Sequence, residues 1–192
     1  MKFVNKEVHF VAGLHGNEKG PIRALKESDE SFIIGNPLEC DKNTRFIDRD
    51  LNASFGTLGN TYEEKRANEL LNQISVNDKV IDFHTTSAHT PSFAIVTDIK
   101  MFSFAERSGL GYAVLMTHNI KKGGTLINHR DGVAIEIEGY DTPHSLSETL
   151  KVMSHFKSGK FHTLKNMKCT ISSLSQVTTK TSSCMNMVLF QF

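Results

Sequence analysis

Residues 2–27 read KFVNKEVHFVAGLHGNEKGPIRALKE and contain one complete unit of the fold. Phe3, Val4, Val8, Phe10 and Val11 make residues 2–12 a strand. Gly13-Leu14-His15-Gly16-Asn17-Glu18 is a Gly-flanked loop. Pro21 then lies in the first turn of a short helix carrying Ile22, Ala24 and Leu25. The same alternation continues outward. Residues 31–35 (SFIIG) form a short strand that ends at Pro37. Thr61 caps the helix YEEKRANELLNQI, in which Ala67, Leu70, Leu71 and Ile74 share one face. Residues 76–78 turn the chain into a strand over 79–84 (KVIDFH). Further strands are read over 92–97 (SFAIVT), 112–116 (YAVLM) and 132–138 (GVAIEIE), with helices near 101–107 and over 145–156. Strands alternating with helices predict an α/β domain with a largely parallel sheet.

Two stretches break the pattern. Residues 38–60 are polar and irregular, long for a connection and therefore functional or disordered. Residues 157–192 turn rich in Ser, Thr and Lys, with β-like pieces at the end (MVLFQF), and read as a small hairpin region. The expected division is a main domain over 1–157 and a short C-terminal appendage over 158–192.

Composition narrows the class. The 192 residues are 39% hydrophobic and 22% charged, enough for one domain with a sizeable core. Lys and Arg total 22 against 21 Asp and Glu, a net of +1, which leaves no electrostatic footprint for nucleic acid. No apolar run approaches the ~20 residues of a membrane span. The start, MKFVNKEVHFVAG, lacks the signal-peptide pattern. Cys40, Cys169 and Cys184 are odd in number and dispersed, with no Cys-x-x-Cys pair. The expectation is a cytoplasmic protein with neither nucleic-acid nor membrane partners; homo-oligomerisation stays open.

Three groups of residues carry chemistry. His15 and Glu18 sit where a strand hands over to a helix, the crest at which open α/β sheets bind ligands. His84 also ends a strand, in DFHTT. Two His and one Glu make a catalytic zinc set with one position left for water or substrate. Taken singly, each of the three also reads as an ordinary polar loop residue. In NTRFIDRDLN (residues 43–52), Arg45 reads as a fixed cation for a developing oxyanion and Asn52 as a donor to substrate. A merely solvated loop has the same composition. In AIEIEG (residues 134–139), Glu136 and Glu138 share one face of a strand, with Ile135 and Ile137 opposite. Such a pair marks either an exposed sheet edge or a general base beside a metal.

Together these pieces resemble the aspartoacylase and succinylglutamate desuccinylase family, relatives of the zinc carboxypeptidases. GLHGNEKG resembles the family's His-x-x-Glu zinc loop, and NTRFIDRDLNASF its Arg-containing loop ending in Asp-Leu-Asn-Arg-x-Phe. VIDFHTTSA resembles the strand with the third zinc ligand, and GVAIEIEG the strand with the catalytic glutamate. All four occur in order over residues 8–140, with the helix TYEEKRANELL between the second and third. The resemblance implies a mixed sheet between helix layers. It implies one zinc per chain on His15, Glu18 and His84, Glu136 as general base and acid, and Arg45 as oxyanion stabiliser. It makes Asn52 a substrate contact beside Arg45, and Arg49 and Glu138 are further residues expected to face the substrate. An ungapped match puts the catalytic position at Glu136; a shifted register would put it at Glu138. The implied reaction is hydrolysis of a small N-acyl amino acid. Alternatives are a carboxypeptidase-like peptidase on short peptides and a non-catalytic zinc-binding protein of the same fold.

The chain departs from the family in two places. Ala53 stands where the family has Arg, a residue that pairs bidentately with a substrate carboxylate. The expectation is a weak preference for free α-carboxylates, unless Arg49 substitutes. Longer members also carry a C-terminal β-rich domain, so a more open site is expected here.

Overall fold

The computed structural model describes residues 7–116, 120–159 and 166–170. Seven strands form one sheet in the order β2-β1-β3-β6-β4-β5-β7. They are β1 (Val8–Ala12), β2 (Phe32–Ile34), β3 (Lys79–Thr86), β4 (Phe93–Val96), β5 (Tyr112–Met116), β6 (Asp131–Glu138) and β7 (Asn166–Thr170). All pairings are parallel except β4 with β6. The sheet is therefore mixed, as the resemblance implied. Its centre is β3. Val80, Ile81 and Phe83 are fully buried there, as expected of a strand covered on both faces.

Each face has its own helix layer. Helices α1 (Lys19–Glu27), α4 (Phe102–Ala105) and α6 (Pro143–Ser158) cover one. Ile22, Leu25, Phe104, Val152, Met153 and Phe156 pack there against Phe10, Phe83, Ile135 and Ile137. The other face is covered by α3 (Tyr62–Gln73) and α5 (Leu126–His129). Ala67, Leu70 and Leu126 meet Val11, Val80 and Ala134. Helix α3 begins as the sequence indicates: Thr61 and Glu64 cap one another's backbone N–H groups. Thr142 and Pro143 open α6 in a similar way.

The structure corrects the reading of residues 38–60. That stretch holds a helix, α2 (Pro37–Lys42), capped by the Asn36 side chain on Glu39 N–H at 3.2 Å, and a 3-10 turn over Leu51–Ala53. In the expected appendage, β7 extends the sheet by pairing in parallel with β5. The C-terminal stretch MVLFQF and residues 2–6 of the first strand lie outside the described residues.

At the rim where β1 and β3 begin, Asp78 accepts from Glu7 N–H at 3.1 Å and meets His9 Nε2 at 3.1 Å. The opposite rim carries the chemistry.

Candidate metal centre

His15 follows β1, while His84 and Glu136 lie near the ends of β3 and β6. These three strands run parallel and expose their carboxyl ends at one rim. His84 and Glu136 are register partners, so both project from the face that α3 covers. The His15 loop enters by a tight route. Gly13 takes φ +74°. A Cβ on Gly16 would lie 2.1 Å from the Glu39 carbonyl carbon, so only glycine lets the loop rest on α2.

His15, Glu18 and His84 come together, with one donor atom of each within 4.8 Å of the others. His15 Nδ1 is 2.8 Å from Glu18 Oε1, and His84 Nδ1 is 3.3 Å from Glu18 Oε2. All three side chains are buried. Burial opposes ionisation of Glu18, but the two imidazoles outweigh it and hold the carboxyl down at about 2. Burial also opposes charge on His84, yet Asp82, then Glu18, raise its pKa well above the ordinary value. Two imidazole nitrogens and a carboxylate aimed at one point suit zinc. Glu18 Oε2 is buried without a hydrogen-bond partner. A zinc ion therefore fits these residues.

The outer ring nitrogens are held by carboxylates. His15 Nε2 meets Asp50 Oδ1 at 2.9 Å, and His84 Nε2 meets Asp82 Oδ2 at 2.9 Å. This arrangement fixes the tautomer and aim of a ligating imidazole. Sequence reading passed over both acids. Asp82 had a usable signal, since it precedes His84 by two residues and so shares its strand face. Asp50 had none, because 35 residues separate it from His15.

The other expected residues fall at graded distances. Arg45, half exposed, brings Nη1 to 3.8 Å from Glu18 Oε1 and Nη2 to 3.9 Å from Asp50 Oδ2. Asn52 Nδ2 lies 3.3 Å from His84 Nε2, while its Oδ1 accepts Leu126 N–H at 3.3 Å. Burial pushes the Glu136 carboxyl up; His84 pulls it down and Glu18 adds to the rise. Arg49 is turned to Glu64. Glu138 pairs with exposed His89 at 2.5 Å and lines a separate cavity of about 280 Å³ with Gly139, Thr142 and His144.

A further pair of acids escaped the sequence reading. Glu63 Oε1 accepts Ile47 N–H at 2.8 Å and Asp48 N–H at 3.0 Å, tying down the loop that bears Arg45 and Asp50. Beside it lies the fully buried Glu39. Burial, then the neighbouring Glu63 carboxylate, pushes Glu39 up to about 9.

The profile of the succinylglutamate desuccinylase/aspartoacylase catalytic domain matches residues 4–138. A probable aspartoacylase of Prochlorococcus marinus subsp. pastoris is 34% identical over 117 residues, covering 52% of this chain and 40% of its own. A second, from another Prochlorococcus marinus strain, is 35% identical over 133 residues, 58% of this chain and 43% of its own. The chain thus spans about two-fifths of the length of the curated relatives it matches. Among solved structures, the succinylglutamate desuccinylase of Chromobacterium violaceum superposes with TM-score 0.63 at 17% identity, over 80% of this chain and 60% of that one. Murine aminoacylase 3 does so with TM-score 0.59 at 20% identity, over 82% and 65%. At these identities the superpositions establish the shared fold. The profile match over residues 4–138 shows that the chain belongs to the succinylglutamate desuccinylase/aspartoacylase family.

Proposed function

We propose that this chain is a zinc-dependent amidohydrolase that removes the acyl group from a small N-acyl amino acid, in the cytoplasm. The observation that carries the reading is the convergence of His15, Glu18 and His84 beside Glu136 and Arg45 on one rim of the sheet. His15, Glu18 and His84 would hold the zinc, which would supply Lewis acidity toward the amide carbonyl and acidify a water. Asp50 and Asp82 keep the two imidazoles aimed. Glu136 takes the proton of the attacking water and returns it to the departing amine, which leaves as the free amino group. Burial, which raises the affinity of Glu136 for a proton, supports that double duty. Arg45 faces the oxygen that gains charge in the tetrahedral state, where such a donor contributes several kcal/mol. Asn52 bridges the His84 ring to the backbone at Leu126 and sets the substrate-facing wall.

The test is a deacylation screen of N-acyl amino acids and short peptides with the zinc-loaded protein, paired with elemental analysis. One zinc per chain with release of free amino acid is the expected result. Turnover of peptides alone would reassign the chain as a peptidase, and metal binding without any turnover would make it a binding protein.

A further inference from the structure

Helix α2 stands between the two loops that carry the proposed chemistry. On one side the His15 loop rests on it. Asn36 N–H donates to the Gly13 carbonyl at 2.7 Å, Lys19 Nζ donates to the Cys40 carbonyl, and Gly16 lies directly against the Glu39 backbone. On the other side runs the loop of residues 44–50. Thr44 N–H donates to the Glu39 carbonyl at 3.1 Å, and the Ile47 and Asp48 N–H groups both end on Glu63 Oε1. Arg45 and Asp50 take their positions from that loop. Asp50 there joins His15 Nε2, at 2.9 Å, to Lys121 Nζ, at 2.6 Å.

The Glu39 and Glu63 side chains are in hydrogen-bonding contact between the loops, and both residues are fully buried. As two carboxylates they could not bond, because a carboxylate only accepts. Glu39 Oε1, Glu39 Oε2 and Glu63 Oε2 would then all be buried without a donor. Like charges left in that state repel and lack solvation. A single proton removes the conflict. Glu63 already receives two N–H groups and is the acceptor of the pair, so the proton belongs on Glu39. Burial, then the Glu63 charge, pushes the Glu39 carboxyl up to about 9. Tyr62 on α3 and Asp50 on the Arg45 loop also act on it, while Gly16 N–H, from the His15 loop, opposes the rise.

We infer that Glu39 is a positioning residue whose carboxyl proton, donated to Glu63 Oε2, clasps the loop bearing Arg45 and Asp50 to the loop bearing His15. The inference rests on the function proposed above for what the clasp serves. Arg45 meets a charge that develops only during the reaction, so slack in its loop lowers kcat and leaves KM nearly unchanged. Glu39 acts through Glu63 and the backbone and is not itself catalytic.

The experiment follows the full chain, metal-free and zinc-loaded, by three readouts. Infrared spectra at pH 7 should hold a carboxylic-acid carbonyl band that Glu39→Gln removes and that the wild type loses near pH 9. Amide exchange at Ile47 and Asp48, relative to Val80 in β3, should quicken about tenfold in Glu39→Met. Glu39→Gln should keep the wild-type protection, because its amide N–H replaces the missing donor. For hydrolysis of N-acetyl-L-alanine, Glu39→Met should lower kcat about 10–100-fold with KM within about twofold, and Glu39→Gln should restore it. A band that survives Glu39→Gln overturns the clasp, and that result does not depend on Glu39→Met folding. Equal protection of Ile47 and Asp48 in all three proteins overturns it too, and unchanged kcat in a folded Glu39→Met overturns the positioning role. The acid band and the amide protection without any hydrolysis by the wild type would refute the function and keep the clasp. Hydrolysis without them would do the reverse.

Discussion

At the scale of single residues, the site separates donors from the groups that aim them. Glu136→Gln is expected to retain zinc and lose turnover by about 10²–10⁴-fold, since the base goes while the donors stay. If Glu138→Gln is the inactive variant instead, the strand has been read in the wrong register. His84→Ala should lose the metal, whereas Asp82→Asn should weaken it by about 10–100-fold in a chelator competition, because the imidazole loses its anchor but not its nitrogen. Unchanged affinity in Asp82→Asn would deny that carboxylate any role in aiming the ring. His15, Glu18 and His84 were legible because Gly-flanked turns and strand ends give positions as well as types. Asp50, Glu39 and Lys121 were not, since each works through a partner brought near only by the sheet.

At the scale of elements, α2 and the loop after it are held by acids rather than by oil. Six residues, PLECDK, are too few to show a helical apolar stripe, and the one turned fully inward is Glu39. The 3.6-residue pattern that revealed α3 therefore had nothing to report in α2. The strands were legible for the opposite reason: VHFVA, VIDF, FAIV and VAIEI are dense in β-branched and aromatic residues. Glu39 gives this region a pH signature. Folded, it keeps its proton to about pH 9, while an unfolded glutamate has lost its own above about 4.5. Between those values folding takes up a proton. Stability from this group thus falls as pH rises, by at most about 1.4 kcal/mol per unit, and levels off above about 9. Denaturant melts of the chelated protein at pH 6, 7 and 8 should show wild type declining more steeply than Glu39→Gln. Parallel slopes would mean that Glu39 is not held protonated.

At the scale of the whole molecule, the two helix layers meet through β3, so Phe83→Ala should cost about 3–5 kcal/mol in chemical denaturation. Metal should act globally as well. Zinc at 1,000 times its dissociation constant would add about 4 kcal/mol to the folded state, and His84→Ala should abolish the difference between zinc-loaded and chelated melts. The order of strands carries one more consequence. The central pair joins residues 79–86 to residues 131–138, and β1 reaches across some 70 residues to β3. Contacts of such sequence separation form slowly. During synthesis β3 has no neighbour on one side until β6 has left the ribosome, and Glu136 arrives on β6. No shorter nascent chain can bring Glu136 beside His84, so the proposed site is complete only when the core closes.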